Sequence, residues 1–312
     1  MVLAVGVSSA AGEMRVERLD PAIDKLIPAD AKVEVHATGY KWMEGPAWNK
    51  ETGELLFSDV PNNVIHAWNG SEVRVFMTPS GYTGVEDYGK EAGSNGLTFD
   101  AKGRLVLAEH GDRRVSVLTE GGGKMTLADR YEGKRFNSPN DVVVHSSGAV
   151  YFTDPIYGLP DGEKSPFREI DFCGVYRIAP DGKVTLVTKE LERPNGLAFS
   201  PDEKTLYVAN SHGPRKIILS VAINEDGSGG GTGVFFDSKD LDGQGSMDGL
   251  KVDARGNLWA TGPGGLLVIS AEGKLLGRVL TGKATANVGF GGKDGKTVFL
   301  TAHDSLVSFP RN

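Results

Sequence analysis

Six side chains that end in oxygen donors recur at equivalent places along this chain: Glu44, Asn95, Asn140, Asn195, Asp248 and Asn287. Each stands just ahead of a short apolar run, as in Glu44-Gly-Pro-Ala-Trp48, Asn95-Gly-Leu-Thr-Phe99 and Asn195-Gly-Leu-Ala-Phe199. Two carry a carboxylate and four an amide. Oxygens without sulfur or imidazole select a hard cation, Ca²⁺ first, with Mg²⁺ or Mn²⁺ as alternatives; Zn²⁺, the remaining possibility, would want His or Cys, and none sits in this set. Two carboxylates balance a divalent charge, and water or substrate completes the shell. Taken alone, an Asn-Gly pair is more often a turn than a ligand, because Asn tolerates positive φ. Register argues otherwise here. Acids replace Asn at the same repeat position in Glu44 and Asp248, where a pure turn prefers Asn or Gly.

A set of residues so far apart in sequence meets only if the elements carrying them converge. Successive members stand 39 to 55 residues apart. Each apolar run is followed by a turn and a second run, such as Leu55-Leu-Phe-Ser-Asp59 or Leu206-Tyr-Val-Ala209. A repeat of about 40–50 residues built from short strands is the signature of a β-propeller. The sequence therefore predicts an all-β, six-bladed propeller with four antiparallel strands per blade. Residues 13–312 form its single domain. Innermost strands line the axis, so the residue ahead of each lies at one channel mouth. The last repeat is short of an outer strand, and residues 33–37 alternate in the manner of one. The prediction is that this N-terminal strand closes the ring and removes an open edge. Residues 16–32, broken by Pro21 and Pro28, read as a turn-like preamble on the propeller surface. The Gly/Ser-rich stretch 224–232 reads as a flexible tip.

The second strand of each hairpin returns to the mouth where the first began. Its end carries another polar residue: Asp59, Glu109-His110, Asp154, Asn210 to His212, Thr261 and His303. A cation ringed by acids and imidazoles describes a reactive pocket better than a structural ion site. His110 is the strongest imidazole candidate, with Arg113 and Arg114 close by for polar groups.

Composition narrows the partners. The formal net charge is −7 and no basic stripe is present, which argues against nucleic acid. No run is long enough for a membrane span. Cys173 is the only cysteine, so no intrachain disulfide forms, and it reads as a small buried hydrophobe. Residues 2–12 are apolar, then small, like the end of a secretory signal near Ser9-Ala-Ala11, although the positive n-region is missing. The reading is an export remnant over residues 1–12 and a periplasmic or secreted protein, the alternative being cytoplasmic. Oligomeric state is not legible.

Several of these stretches together resemble the SMP-30 family of gluconolactonases, regucalcin and related lactonases. The matching stretches are Glu44-Gly-Pro-Ala-Trp48, Asn137-Ser-Pro-Asn-Asp-Val-Val-Val144, Tyr151-Phe-Thr-Asp-Pro155, Arg193-Pro-Asn-Gly-Leu-Ala-Phe-Ser-Pro-Asp202 and Met247-Asp-Gly-Leu-Lys-Val-Asp253. The resemblance spans roughly residues 39–309. It implies one axial divalent metal held by Glu44, Asn140, Asn195 and Asp248. It also implies hydrolysis of a sugar lactone to the aldonic acid. Asp248 or His110 would activate water. Asn95, Arg113, Asp154, His212 and His303 would bind the sugar lactone. The Glu109-His-Gly-Asp-Arg-Arg114 run is closer to bacterial gluconolactonases than to regucalcin. No Gly-x-Ser-x-Gly nucleophile elbow occurs, which disfavours serine acyl transfer. Two alternatives stand beside this reading. One is metal-assisted hydrolysis of a phosphotriester or other ester in the same pocket, since a scaffold does not fix its substrate. The other is a non-catalytic, calcium-stabilised binding propeller.

Overall fold

The computed structural model describes residues 14–312. Its strands assemble into six antiparallel blades, each built on a consecutive meander, with a small two-stranded ribbon at Arg130–Tyr131 and Lys134–Arg135. Blade 1 spans residues 43–77, blade 2 94–128, blade 3 142–188, blade 4 194–237, blade 5 250–280 and blade 6 287–310. The first strands of successive blades touch one another in a closed cycle, the sixth returning to the first. Ring closure follows the predicted route: Glu34–Thr38 pairs antiparallel with Ser305–Pro310 and completes blade 6. The export remnant over residues 1–12 lies outside the described residues.

Hydrophobic packing explains why the ring holds. Middle strands are buried on both faces, as in the second strand of blade 1, where Leu55, Leu56 and Phe57 are all inaccessible. Each face packs against the neighbouring blade, giving one apolar cluster for every blade–blade junction. Met43, Leu55 and Phe57 meet Phe299 and Leu306 between blades 1 and 6. Cys173 is buried beside Ile156 and Leu159, as its type predicts.

Two local expectations change. The preamble is partly a strand: Arg15–Arg18 pairs with Leu275–Leu280 as a fifth strand on blade 5. After it, a 3₁₀ turn at Pro21–Lys25, capped by the Asp20 carboxylate accepting from Ala22 N, buries Ile23, Leu26 and Ile27 against blades 5 and 6. The open edge of blade 5 supplies the backbone partners that the sequence could not reveal. The Gly-rich tip is shorter than its composition suggests, because Gly229–Asp237 forms the outer strand of blade 4. Glycine fits there for a steric reason. A Cβ on Gly229 would lie 2.2 Å from the Val187 carbonyl oxygen of blade 3.

Candidate active site

Five of the six recurrent oxygen donors converge at one mouth of the axial channel. Glu44, Asn95, Asn140, Asn195 and Asp248 line a cavity of about 430 Å³, with Trp42, Glu91, Tyr157, Ser211 and Thr285. Convergence requires the inner strands to approach closely, and glycine permits it. The residue after the ring member is Gly96 in blade 2, and a Cβ there would stand 2.4 Å from Asp141 Oδ1 of blade 3. Its amide instead donates to the Asn140 carbonyl at 2.7 Å.

A second tier of side chains fixes the direction of the first. Asn287, the sixth member, turns away from the cavity. Its Nδ2 donates to Glu44 Oε2 at 3.1 Å while its Oδ1 accepts from Val288 N. Asn195 Nδ2 donates to Ser211 Oγ at 2.8 Å, and Ser211 Oγ in turn donates to the Met247 carbonyl. Asn140 Nδ2 lies 3.3 Å from His110 Nε2. His110 Nδ1 faces the Glu91 carbonyl at 3.2 Å, an acceptor only, so Nδ1 carries the proton and Nε2 accepts from Asn140. Burial pushes the His110 pKa down to about 4, which keeps the ring neutral and able to accept.

What remains is a set of oxygens with nothing to bind. Asn95 Oδ1, Asn140 Oδ1 and Asp248 Oδ1 have no hydrogen-bond partner. Buried polar atoms are normally paired, so three orphans in one cavity need an account. The acids are also under strain. Burial pushes Glu44 up to about 8, opposed by the Asn287 hydrogen bond and reinforced by the charge of Asp141. Asp248 is raised by burial, then by the charges of Glu44, Asp141 and Glu91. Asp141 is itself buried below the ring, with Oδ2 unpartnered. A hard cation would relieve both the repulsion and the orphaned oxygens. Among the described residues no group of three or more His, Cys, Asp or Glu forms a metal cluster; amides provide the other donors.

The second ring behaves differently. Asp59 accepts from the backbone N–H groups of Lys41 and Trp42, and from Asn62 Nδ2. Asp154 accepts from Asn137 N and Ser138 N, both at 2.8 Å. Asn210 Oδ1 accepts from Arg193 N. Each clasps the loop that leads into a ring residue: Glu44, Asn140 and Asn195 respectively. Glu109 is enclosed by Arg114, Lys124 and Ser116 within blade 2.

His110 is fully buried behind Asn140 and does not line the cavity. Arg113 is buried, with Nε donating to the carbonyls of Phe136 and Asn137. Asp154 is inaccessible inside its clasp. His212 follows the cavity residue Ser211 and is partly exposed. His303 is exposed and packs edge-on against Trp42, with ring centroids 5.4 Å apart. The cavity side chains that sequence reasoning missed are Trp42, Glu91, Tyr157 and Thr285; Ser211 falls in the Asn210 to His212 stretch expected to wall the pocket. Glu91 comes from the 78–93 loop and Tyr157 from the 156–171 insertion, outside the repeat register, so periodicity could not single them out.

Comparison with known proteins agrees with this architecture. The profile of the SMP-30/Gluconolactonase/LRE-like region matches residues 42–304. A gluconolactonase of Zymomonas mobilis is 36% identical over 305 residues, covering 94% of this chain and 85% of its own. A solved gluconolactonase structure from Xanthomonas campestris superposes with a TM-score of 0.83 at 30% identity, covering 98% of this chain and 99% of that one. A calcium-binding regucalcin from Agrobacterium tumefaciens shares the fold, with a TM-score of 0.70 at 20% identity over 89% of this chain and 94% of that one.

Proposed function

Because this chain belongs to the SMP-30/gluconolactonase/LRE-like family, we propose that it hydrolyses a gluconolactone-like sugar lactone to the aldonic acid, aided by one divalent cation, Ca²⁺ first. The observation that carries the metal part is the cluster of orphaned oxygens beside two mutually repelling carboxylates. Lactonase names among relatives at 36% and 30% identity support the substrate class. The regucalcin of Agrobacterium tumefaciens, described as calcium-binding, is consistent with the ion.

Glu44, Asn140, Asn195 and Asp248 would hold the cation. When bound, it supplies Lewis-acid polarisation of the ester carbonyl and charge to offset the developing oxyanion. The chain's own residues do the rest. Asp248 takes a proton from the attacking water as its oxygen adds to the carbonyl carbon. When the ring C–O bond breaks, Asp248 returns that proton to the departing alkoxide, giving the hydroxy acid. Asn95, with an orphaned oxygen, and Glu91 and Tyr157 on the wall offer hydrogen bonds to sugar hydroxyls. Trp42 and Tyr157 give the cavity two aromatic walls on which a sugar face can rest. His110 acts through Asn140, keeping the amide oxygen toward the cavity. His212, next in the chain to Ser211, and His303, packed on Trp42, flank two wall residues and would meet the outer hydroxyls of a larger ligand.

Residues 2–12 extend the proposal to export into the periplasm or beyond; cell fractionation with an antibody to the mature chain would sink that part if the protein stayed cytoplasmic. The reaction is tested on metal-stripped protein with a lactone panel, adding back Ca²⁺, Mg²⁺, Mn²⁺ and Zn²⁺ separately. Hydrolysis of glucono-δ-lactone restored by one of them is the expected result. No turnover under any condition, or turnover indifferent to metal, contradicts it.

A further inference from the structure

We infer that this cavity is the inner half of a two-part site and that the preferred substrate is a lactone carrying a glycosyl unit, an aldobionolactone. The inference rests on the lactonase reading above and adds the substrate class. A second cavity, about 580 Å³, abuts the first and shares Glu91 and Tyr157 with it. The inner cavity alone is about 430 Å³, within the range of about 300–1,000 Å³ that holds a whole small ligand. The outer one therefore offers room for a second unit of similar size, reached past the shared wall.

Its walls come from two loops that the repeat does not require. The 78–93 loop contributes Gly89, Lys90 and Glu91, and the 156–171 insertion contributes residues 159–163. The loops meet directly: a Cβ on Gly89, whose φ is +104°, would touch Pro160 at 3.5 Å. Arg193, paired with Glu163 at 2.5 Å, closes the side next to Asn195. The chemistry is mixed. Its lining holds Lys90 and Arg193 together with Glu91, Asp161 and Glu163, and the aromatic side chain of Tyr157. A phosphate would meet three carboxylates, and a hydrocarbon tail would strip water from five charged groups. A neutral polyol can donate to the acids, accept from the cations and lay a sugar face on Tyr157. Such a substrate is made by oxidising the anomeric carbon of a disaccharide's reducing end.

The test compares initial rates of acid release from glucono-δ-lactone, maltobiono-δ-lactone and cellobiono-δ-lactone on the metal-loaded full chain, for wild type, Lys90→Ala and Asp161→Ala. Both substitutions are on exposed loop residues, and melting curves verify folding. At least one disaccharide lactone should match or exceed glucono-δ-lactone in kcat/KM. The substitutions should lower kcat/KM for that disaccharide by about tenfold, through KM, and leave glucono-δ-lactone within about twofold. Good turnover of glucono-δ-lactone with poor turnover of both disaccharides would overturn the inference and spare the lactonase reading. Equal effects of the substitutions on all substrates would overturn it too. No turnover of any lactone would remove both.

Discussion

Two rings of polar side chains sit at the same mouth of the channel, and antiparallel pairing places them side by side. The first, Glu44, Asn95, Asn140, Asn195 and Asp248, faces a cavity and leaves oxygens without partners. The second, Asp59, Asp154 and Asn210, is satisfied by the loop each clasps and, at Asp59 Oδ2, by Asn62 of the turn that follows it. Residue types are nearly the same in both. The difference is where donors are available, and it separates a ring poised for a ligand from a ring that stabilises the fold. Such a contrast predicts opposite responses: first-ring changes should cost function and relieve the empty protein, and second-ring changes should cost stability.

The largest effect is expected at Asp248. Asp248→Ala should lower lactone turnover by about 10²–10⁴-fold with the fold retained, as loss of a general base does. Unchanged turnover would remove Asp248 from the chemistry. At Glu44 the two readouts should part company. Glu44→Gln should abolish cation binding yet raise the melting temperature of metal-free protein, since it removes a buried, repelled carboxylate. A fall in that temperature would make Glu44 a second-ring residue in function. Asp154→Ala is the mirror case: two buried N–H groups lose their acceptor, and denaturant unfolding should show a loss of about 2–4 kcal/mol. His110→Phe should weaken cation affinity by about 10–100-fold, the range for an outer-shell partner, whereas His110→Gln should lose less because it keeps an acceptor.

The smallest effect is a pH slope. Burial raises Glu91 to about 7 and Glu44 to about 8. A raised folded pKa contributes stability that is fully present below the ordinary carboxyl range and lost as pH rises through the folded value. Metal-free protein should therefore lose melting temperature between about pH 4.5 and 8. Saturating cation binds the ionised acids and should flatten or reverse that slope.

The fold was legible because six hairpins repeat one pattern, and ring closure followed from a missing strand at one end and a spare one at the other. The first ring was legible for the same reason, since equivalent positions share one register. Direction was not. Nothing in the sequence says that Asn287 turns toward Glu44, or that His110 faces Asn140 instead of the cavity, because both depend on packing across blades. Asp154 looked like a pocket residue until its partners proved to be backbone N–H groups about sixteen residues upstream. Asp141 left a trace: it stands where blades 1, 2, 4 and 5 carry Gly45, Gly96, Gly196 and Gly249, and that departure marks the third buried acid. Glu91 and Tyr157 left none, since loop residues obey no period.

The orphaned oxygens are the centre of this account, and calorimetric titration of Ca²⁺ into stripped protein addresses them directly. Wild type should bind one ion per chain, and Glu44→Gln should bind none while keeping its fold. Absence of binding to wild type, or an unaltered isotherm for Glu44→Gln, would contradict the claim that these side chains form a cation site.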